Sequence, residues 1–189
     1  MERKIRFFDL RLTGMFLIIS SVIFLVAATF FTIRFILELP VGNTPAFFLW
    51  ERSLVITALV ATLLSFTLLK RLLEEAGNGI LASMALVLFL IAAVLAVVAE
   101  TISFPGDEIA YPPIVAYVVL SFLGQAVFGM ALLRSGLVPS WVGWVTVIWN
   151  LGVLVFLVVS KPQDMYYPWL HYIAPLLIGI ALLRKKQSS

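Results

Sequence analysis

The chain has 189 residues, of which 62% are hydrophobic and 12% charged, with a net charge of +3 and no cysteine. A soluble domain carries about 25% charged residues, so this composition, with a mean hydropathy of +1.11, places the chain in the polytopic membrane class. Without cysteine there are no disulfides, thiol catalysis, iron–sulfur clusters or Cys-ligated zinc, and with one histidine there is no bis-His haem or multi-His metal site within one chain.

The first eleven residues hold Arg3, Lys4, Arg6 and Arg11, and a charge-free run follows over 12–33. That run is too long for a signal-peptide core and lacks a convincing small-x-small cleavage site, so it reads as an uncleaved first span. Residues 34–52 form a long connection in which Pro40, Gly42, Asn43 and Pro45 act as breakers. Phe47, Phe48 and Trp50 suit the headgroup level. The second span is expected over 53–69. Its small face, Ala58, Ala61, Thr62 and Ser65, leads back through Leu54 to Glu51.

Residues 70–79 read as a tight polar connection with a Gly-Asn-Gly turn. The third span, 80–98, carries no charge and is long enough for the roughly 30 Å hydrocarbon core. Ala82, Ala85, Ala92, Ala93, Ala96 and Ala99 line one side of it at helical steps. Such a stripe lets neighbouring helices approach closely in lipid, and Glu100 continues it. Residues 100–113 form a second long connection, acidic and proline-rich. The fourth span is 114–133, with Ser121, Gly124, Gln125 and Gly129 on one side. A short link follows, in which Gly136 can cap one helix and Pro139 start the next. The fifth span is 141–159, with Asn150 at its middle. The sixth is 168–183, one turn into which lies His171, and Pro175 is expected to kink it.

The reading is therefore all-α: a single domain, 1–189, built as a polytopic membrane bundle of six transmembrane helices. With the N terminus inside, the cytoplasmic segments hold ten basic residues and the outer segments three, Arg34, Arg52 and Lys161. The positive-inside rule then selects cytoplasmic termini at the cell membrane. The outer connections, of which 34–52 and 100–113 are longer than either inner one, carry Glu38, Glu51, Glu100, Asp107, Glu108 and Asp164. Long connections more often carry function than short ones, so a site is expected on the outer face. Acidic loops and aromatic belts are also ordinary membrane-protein features.

Five residues stand out as candidate ligand contacts: Glu51, Arg52, Glu100, Gln125 and His171. Ionisable groups at membrane depth are costly and are usually paired or functional. A carboxylate beside an imidazole can relay protons or hold a ligand. The structural alternative makes Glu51–Arg52 and Glu100–His171 interfacial pairs bonded to loops or water. Gln125 and Asn150 lie near their helix centres, where an amide must find a partner; interhelical hydrogen bonding is the usual answer. Trp141 and Trp144 read as inner-interface anchors, and Trp149 as a deeper, cavity-lining ring. There is no G-x-S-x-G elbow, no His-x-x-x-His and no lysine inside a span for a Schiff base.

Residues 131–153 (ALLRSGLVPSWVGWVTVIWNLGV) resemble a link common in small six-span bacterial and archaeal membrane proteins of unknown function. That resemblance implies architecture alone. Six spans with inner termini and a roofed outer site also look like the substrate-capture subunits of energy-coupling-factor vitamin transporters. Those subunits typically carry A-x-x-x-A in the first span, where this chain has Ala27-Ala28. Three functions follow as expectations. The first is binding of a small hydrophobic, lipid-like ligand or another membrane subunit at the outer side. The second is substrate capture for a transporter. The third is intramembrane catalysis by a Glu100–His171 acid–base pair. The lipid bilayer is the expected partner, nucleic acid is not, no metal ligand is assigned, and the cofactor is unknown.

Overall fold

The computed structural model describes residues 7–102, 111–161 and 167–185. Arg3, Lys4, Arg6, Asp107, Glu108, Asp164 and Lys186 lie outside these. Helix α1, Phe7–Phe31, runs into a π-helical turn at Thr32–Ile36, and a 3-10 turn follows at Pro40–Asn43. The remaining helices are α2, Pro45–Glu75, α3, Gly79–Ile102, α4, Tyr111–Ser135, α5, Ser140–Ser160, α6, Pro168–His171, and α7, Ile173–Arg184. Among the described residues there is no strand. Five helical stretches, Phe8–Ile36 and α2 to α5, are long and apolar enough to cross a membrane, and Pro168–Arg184 is a shorter apolar one.

The helix boundaries correct the expected spans most strongly at α2. Residues 45–52, expected in a connection, are its first two turns. Pro45 opens the helix instead of breaking it, because a first-turn N–H has no intrahelical partner to lose. Thr44 caps it, its Oγ1 accepting from the Phe47 N–H at 3.4 Å. At the other end α2 continues through Glu75. There Lys70–Glu74 and Arg71–Glu75 are i,i+4 ion pairs of 2.5 and 3.5 Å, the spacing that supports a helix. The turn that remains is Ala76–Asn78, with Gly77 at φ +81°. Gly136 likewise sits at φ +63° after α4. Pro175 explains the break between α6 and α7. Having no N–H, it cannot bond the His171 carbonyl four residues back, and the helix restarts after Tyr172, with the Leu176 N–H on the Tyr172 carbonyl at 3.1 Å.

The long helices form a ring in the order α1, α2, α3, α4, α5, α7 and back to α1, and the α5–α7 contact is its thinnest joint. The alanine stripe of α3 is buried throughout and packs on α4. A Cβ added to Gly124 would meet the Ala85 carbonyl oxygen at 3.0 Å and the Phe89 nitrogen at 3.2 Å. Two further close approaches rest on glycine. Gly14 and Gly179 join α1 to α7, while Gly129 and Gly143 join α4 to α5. Inside the ring, Phe66 packs edge-on to Phe89 and at a tilt to Phe128, with both centroids 4.7 Å away. Most outward side chains are large and apolar, such as Ile148, Val155 and Val159 on α5, as expected of a bundle whose solvent is lipid.

The start of α1, the α2–α3 turn, the α4–α5 turn and the end of α7 share one end of the bundle. Lys185 Nζ closes that end by donating to the Gly136 carbonyl at 3.1 Å. The α1–α2 connection lies at the other.

Candidate functional site

The densest charge cluster among the described residues lies at the α1–α2 end. Arg34 enters it from the π-helical turn that ends α1. A π turn inserts one residue into the helix and re-aims the side chains that follow it. Here the Leu37 N–H bonds the Thr32 carbonyl at 2.9 Å, and Arg34 Nη2 donates to Glu51 Oε1 at 3.1 Å. The 3-10 turn folds back over this pair. Gly42 is buried against Arg34, where an added Cβ would stand 3.0 Å from the Arg34 Cα. One residue along α2, Arg52 Nη1 donates to the Glu100 backbone carbonyl, and Arg52 Nε lies 3.9 Å from Glu100 Oε2. Phe48, one turn earlier on α2, takes both cations on its ring, at 3.8 Å for Arg52 and 4.7 Å for Arg34. The Phe35 ring adds a third contact, 4.2 Å from Arg34. Opposed ionisable groups and cation–π contact alternate here in a partly dry place, where an isolated charge would be costly.

Glu51 lies deepest, with 5% of its surface exposed. Its Oε1 bonds Arg34, while Oε2 is buried and has no hydrogen-bond partner among the described residues. A carboxylate oxygen left so is an acceptor waiting for a donor.

The sequence-expected residues thus divide. Glu51, Arg52 and Glu100 come together, but not in the expected pairs. Arg34 takes Glu51 and Arg52 takes Glu100. His171 belongs to a different environment. Its ring lies 5.1 Å from Tyr117 and 4.2 Å from Phe122, stacked with both, and its Nδ1 is 3.3 Å from the Tyr167 carbonyl. Gln125 is buried on α4, three residues past Phe122. Trp149 Nε1 donates to the Leu170 carbonyl at 2.9 Å, tying α5 to the short helix α6.

Sequence reasoning placed Arg34 in a loop and gave Phe48 only a headgroup role. One signal pointed to Arg34: it is the first charge after a long apolar run, level with an acidic partner across the connection. Tyr172 was also missed. It is fully buried, stacked on Phe24 at 4.0 Å, with its hydroxyl 2.9 Å from Thr62 Oγ1. Tyr172→Phe is expected to cost about 0.6–1 kcal/mol, a small fall in thermal midpoint. A larger loss would show that the hydroxyl holds more than Thr62.

Comparison with protein-family models, curated proteins and solved structures gives no match to this chain. Any functional reading therefore rests on its own residues. Among the described residues there is no cluster of His, Cys, Asp and Glu able to hold a metal ion.

Proposed function

We propose that this protein is a six-span membrane protein with cytoplasmic termini that binds the polar head of a small lipid-like molecule at its outer, α1–α2 end. Glu51, Arg52 and Glu100, with Arg34 and Phe48, form the head-binding cluster. The observation that carries the reading is Glu51 Oε2, a buried carboxylate oxygen whose twin is occupied by Arg34 while it has no hydrogen-bond partner among the described residues. It calls for a donor such as a hydroxyl, amine or amide group. The guanidiniums beside it suit an acceptor on the same head. Aromatic rings on the flanking elements, Phe30 on Phe47 at 4.6 Å and Phe31 on Phe35 at 4.7 Å, supply an apolar surround for a tail. The basic-residue distribution supports the orientation.

Native mass spectrometry of the gently solubilised protein, with identification of anything bound, tests this. A stoichiometric amphiphile is expected on the wild-type chain and absent from Glu51→Gln, which keeps the side chain's shape and loses the charge. Circular dichroism of the variant controls for folding. A bare wild-type monomer, or equal retention by a folded Glu51→Gln, would overturn the reading.

A further inference from the structure

A second set of polar groups lies deeper, away from the charge cluster and independent of it. The close α4–α5 approach sets its level. A Cβ on Gly129 would meet Thr146 Cγ2 at 3.0 Å and Val147 Cγ2 at 2.8 Å, and one on Gly143 would meet the Gly129 carbonyl oxygen at 3.1 Å. Moving one helical turn along each antiparallel helix toward the α1–α2 end reaches Gln125 on α4 and Asn150 on α5. These two therefore occupy one layer. Thr62 and the Tyr172 hydroxyl, 2.9 Å apart, stand at the same height, because Phe66, one turn below Thr62 on α2, packs on Phe128 of α4.

Both amides are buried, Gln125 to 2% exposure and Asn150 to none. Both leave their carbonyl oxygen buried without a hydrogen-bond partner among the described residues, Gln125 Oε1 and Asn150 Oδ1. The Asn150 orientation is set by its own bond. Nδ2 donates to the Thr146 carbonyl at 2.7 Å, and a flipped amide would set oxygen against oxygen there. Two neutral acceptors from facing helices, at mid-length, thus lack donors where lipid offers none. An uncharged donor suits them. A cation would find no carboxylate among the four polar side chains placed in this layer, Gln125, Asn150, Thr62 and Tyr172, and an uncompensated charge at that depth is costly.

We infer that Gln125 and Asn150 form a mid-depth site between α4 and α5 for an uncharged hydroxyl, borne by an internal water molecule or by an amphiphilic alcohol. A water guest donates one proton to Oε1 and the other to Oδ1 and so joins the two helices, while an alcohol has one proton to donate and serves one oxygen at a time.

Gln125→Met and Asn150→Leu remove each oxygen at nearly constant volume, and thermal midpoints are read for both and for the double variant. If the oxygens share a guest, each single variant lowers the midpoint by a few degrees. The double variant then falls by clearly less than the sum. A rise in either single variant shows relief of an unsatisfied acceptor and overturns the proposal, as does an additive fall. The probe for the source is 1-decanol, with decane as control. A midpoint rise with decanol alone, seen in the wild type and lost in the double variant, assigns the hydroxyl to an amphiphile. Without that response, a water cross-peak to the Asn150 side-chain amide protons in NMR assigns it to internal water. A folded wild type that shows neither the decanol response nor the water cross-peak overturns the site.

Discussion

Arg34→Ala is expected to destabilise the folded chain by about 3 kcal/mol, at the low end of what removing one partner of a buried ion pair costs. Exposed pairs are worth under about 1 kcal/mol, so burial decides the size. The Glu51 side chain is 7% exposed and that of Arg34 17%, which puts this pair near the buried limit at one end and nearer water at the other. The loss would come mainly from stranding the Glu51 carboxylate. Its Oε2 already lacks a partner among the described residues, and the variant would take the Arg34 partner from Oε1 too. A smaller contribution adds to it: the Phe35 and Phe48 rings lose a cation, while the Arg34 Cα and Cβ that Gly42 packs beside stay in the alanine variant. The double variant Arg34→Leu/Glu51→Leu should recover much of the loss, since replacing both charges by apolar groups is often neutral. Unfolding in mixed micelles measures all three proteins. A double variant as unstable as the single one would mean that local packing, not the charge, sets the cost.

Gly179→Leu is expected to be as damaging, by a different route. A Cβ at Gly179 would meet the Gly14 carbonyl oxygen at 2.9 Å, and one at Gly14 would meet the Gly179 carbonyl oxygen at 2.9 Å. Backbone carbonyls cannot rotate away as side chains can, so α1 and α7 must separate. Overpacking of this kind costs about 1–3 kcal/mol. In lipid the loss is not offset by burying apolar surface elsewhere, because helices there associate through close packing. The α1–α7 contact also anchors the last helix, whose other neighbour in the ring, α5, holds it only thinly. The expected result is a fall of about 3 kcal/mol in stability together with faster proteolysis near the α5–α6 connection. Gly152→Ala is the control. Nothing lies within 4 Å of a Cβ there, so stability should hold or rise slightly, since alanine suits a helix better than glycine. Equal losses at both glycines would overturn helix approach as the cause, because helix propensity favours both substitutions.

How much of this the sequence discloses follows from the range of each interaction. Composition and charge-free runs reveal helices long enough to cross a bilayer, because that requirement is local and one-dimensional. The alanine stripe of α3 and the small face of α2 could be read from helical spacing. They placed Glu51 on the buried face and carried Glu100 to the edge of its helix, because a helix keeps its angular order for many turns. The capping glycine, Gly136, was legible for the same local reason. Tertiary structure decided what those residues meet. Arg34 reaches Glu51 only because a π turn re-aims it, and that turn adds a single residue that leaves no mark in the hydrophobic pattern. Arg52 takes Glu100 from 48 positions away, a separation over which sequence order carries no pairing information. His171 left the expected acid–base pair because the break before Pro175 sets it between Tyr117 and Phe122. The sequence by itself determined the buried faces of α2, α3 and α4, since those depend on spacing. Only the packing of the ring decided which partner each one finds, since that depends on how the glycine and alanine contacts set the level of one helix against the next.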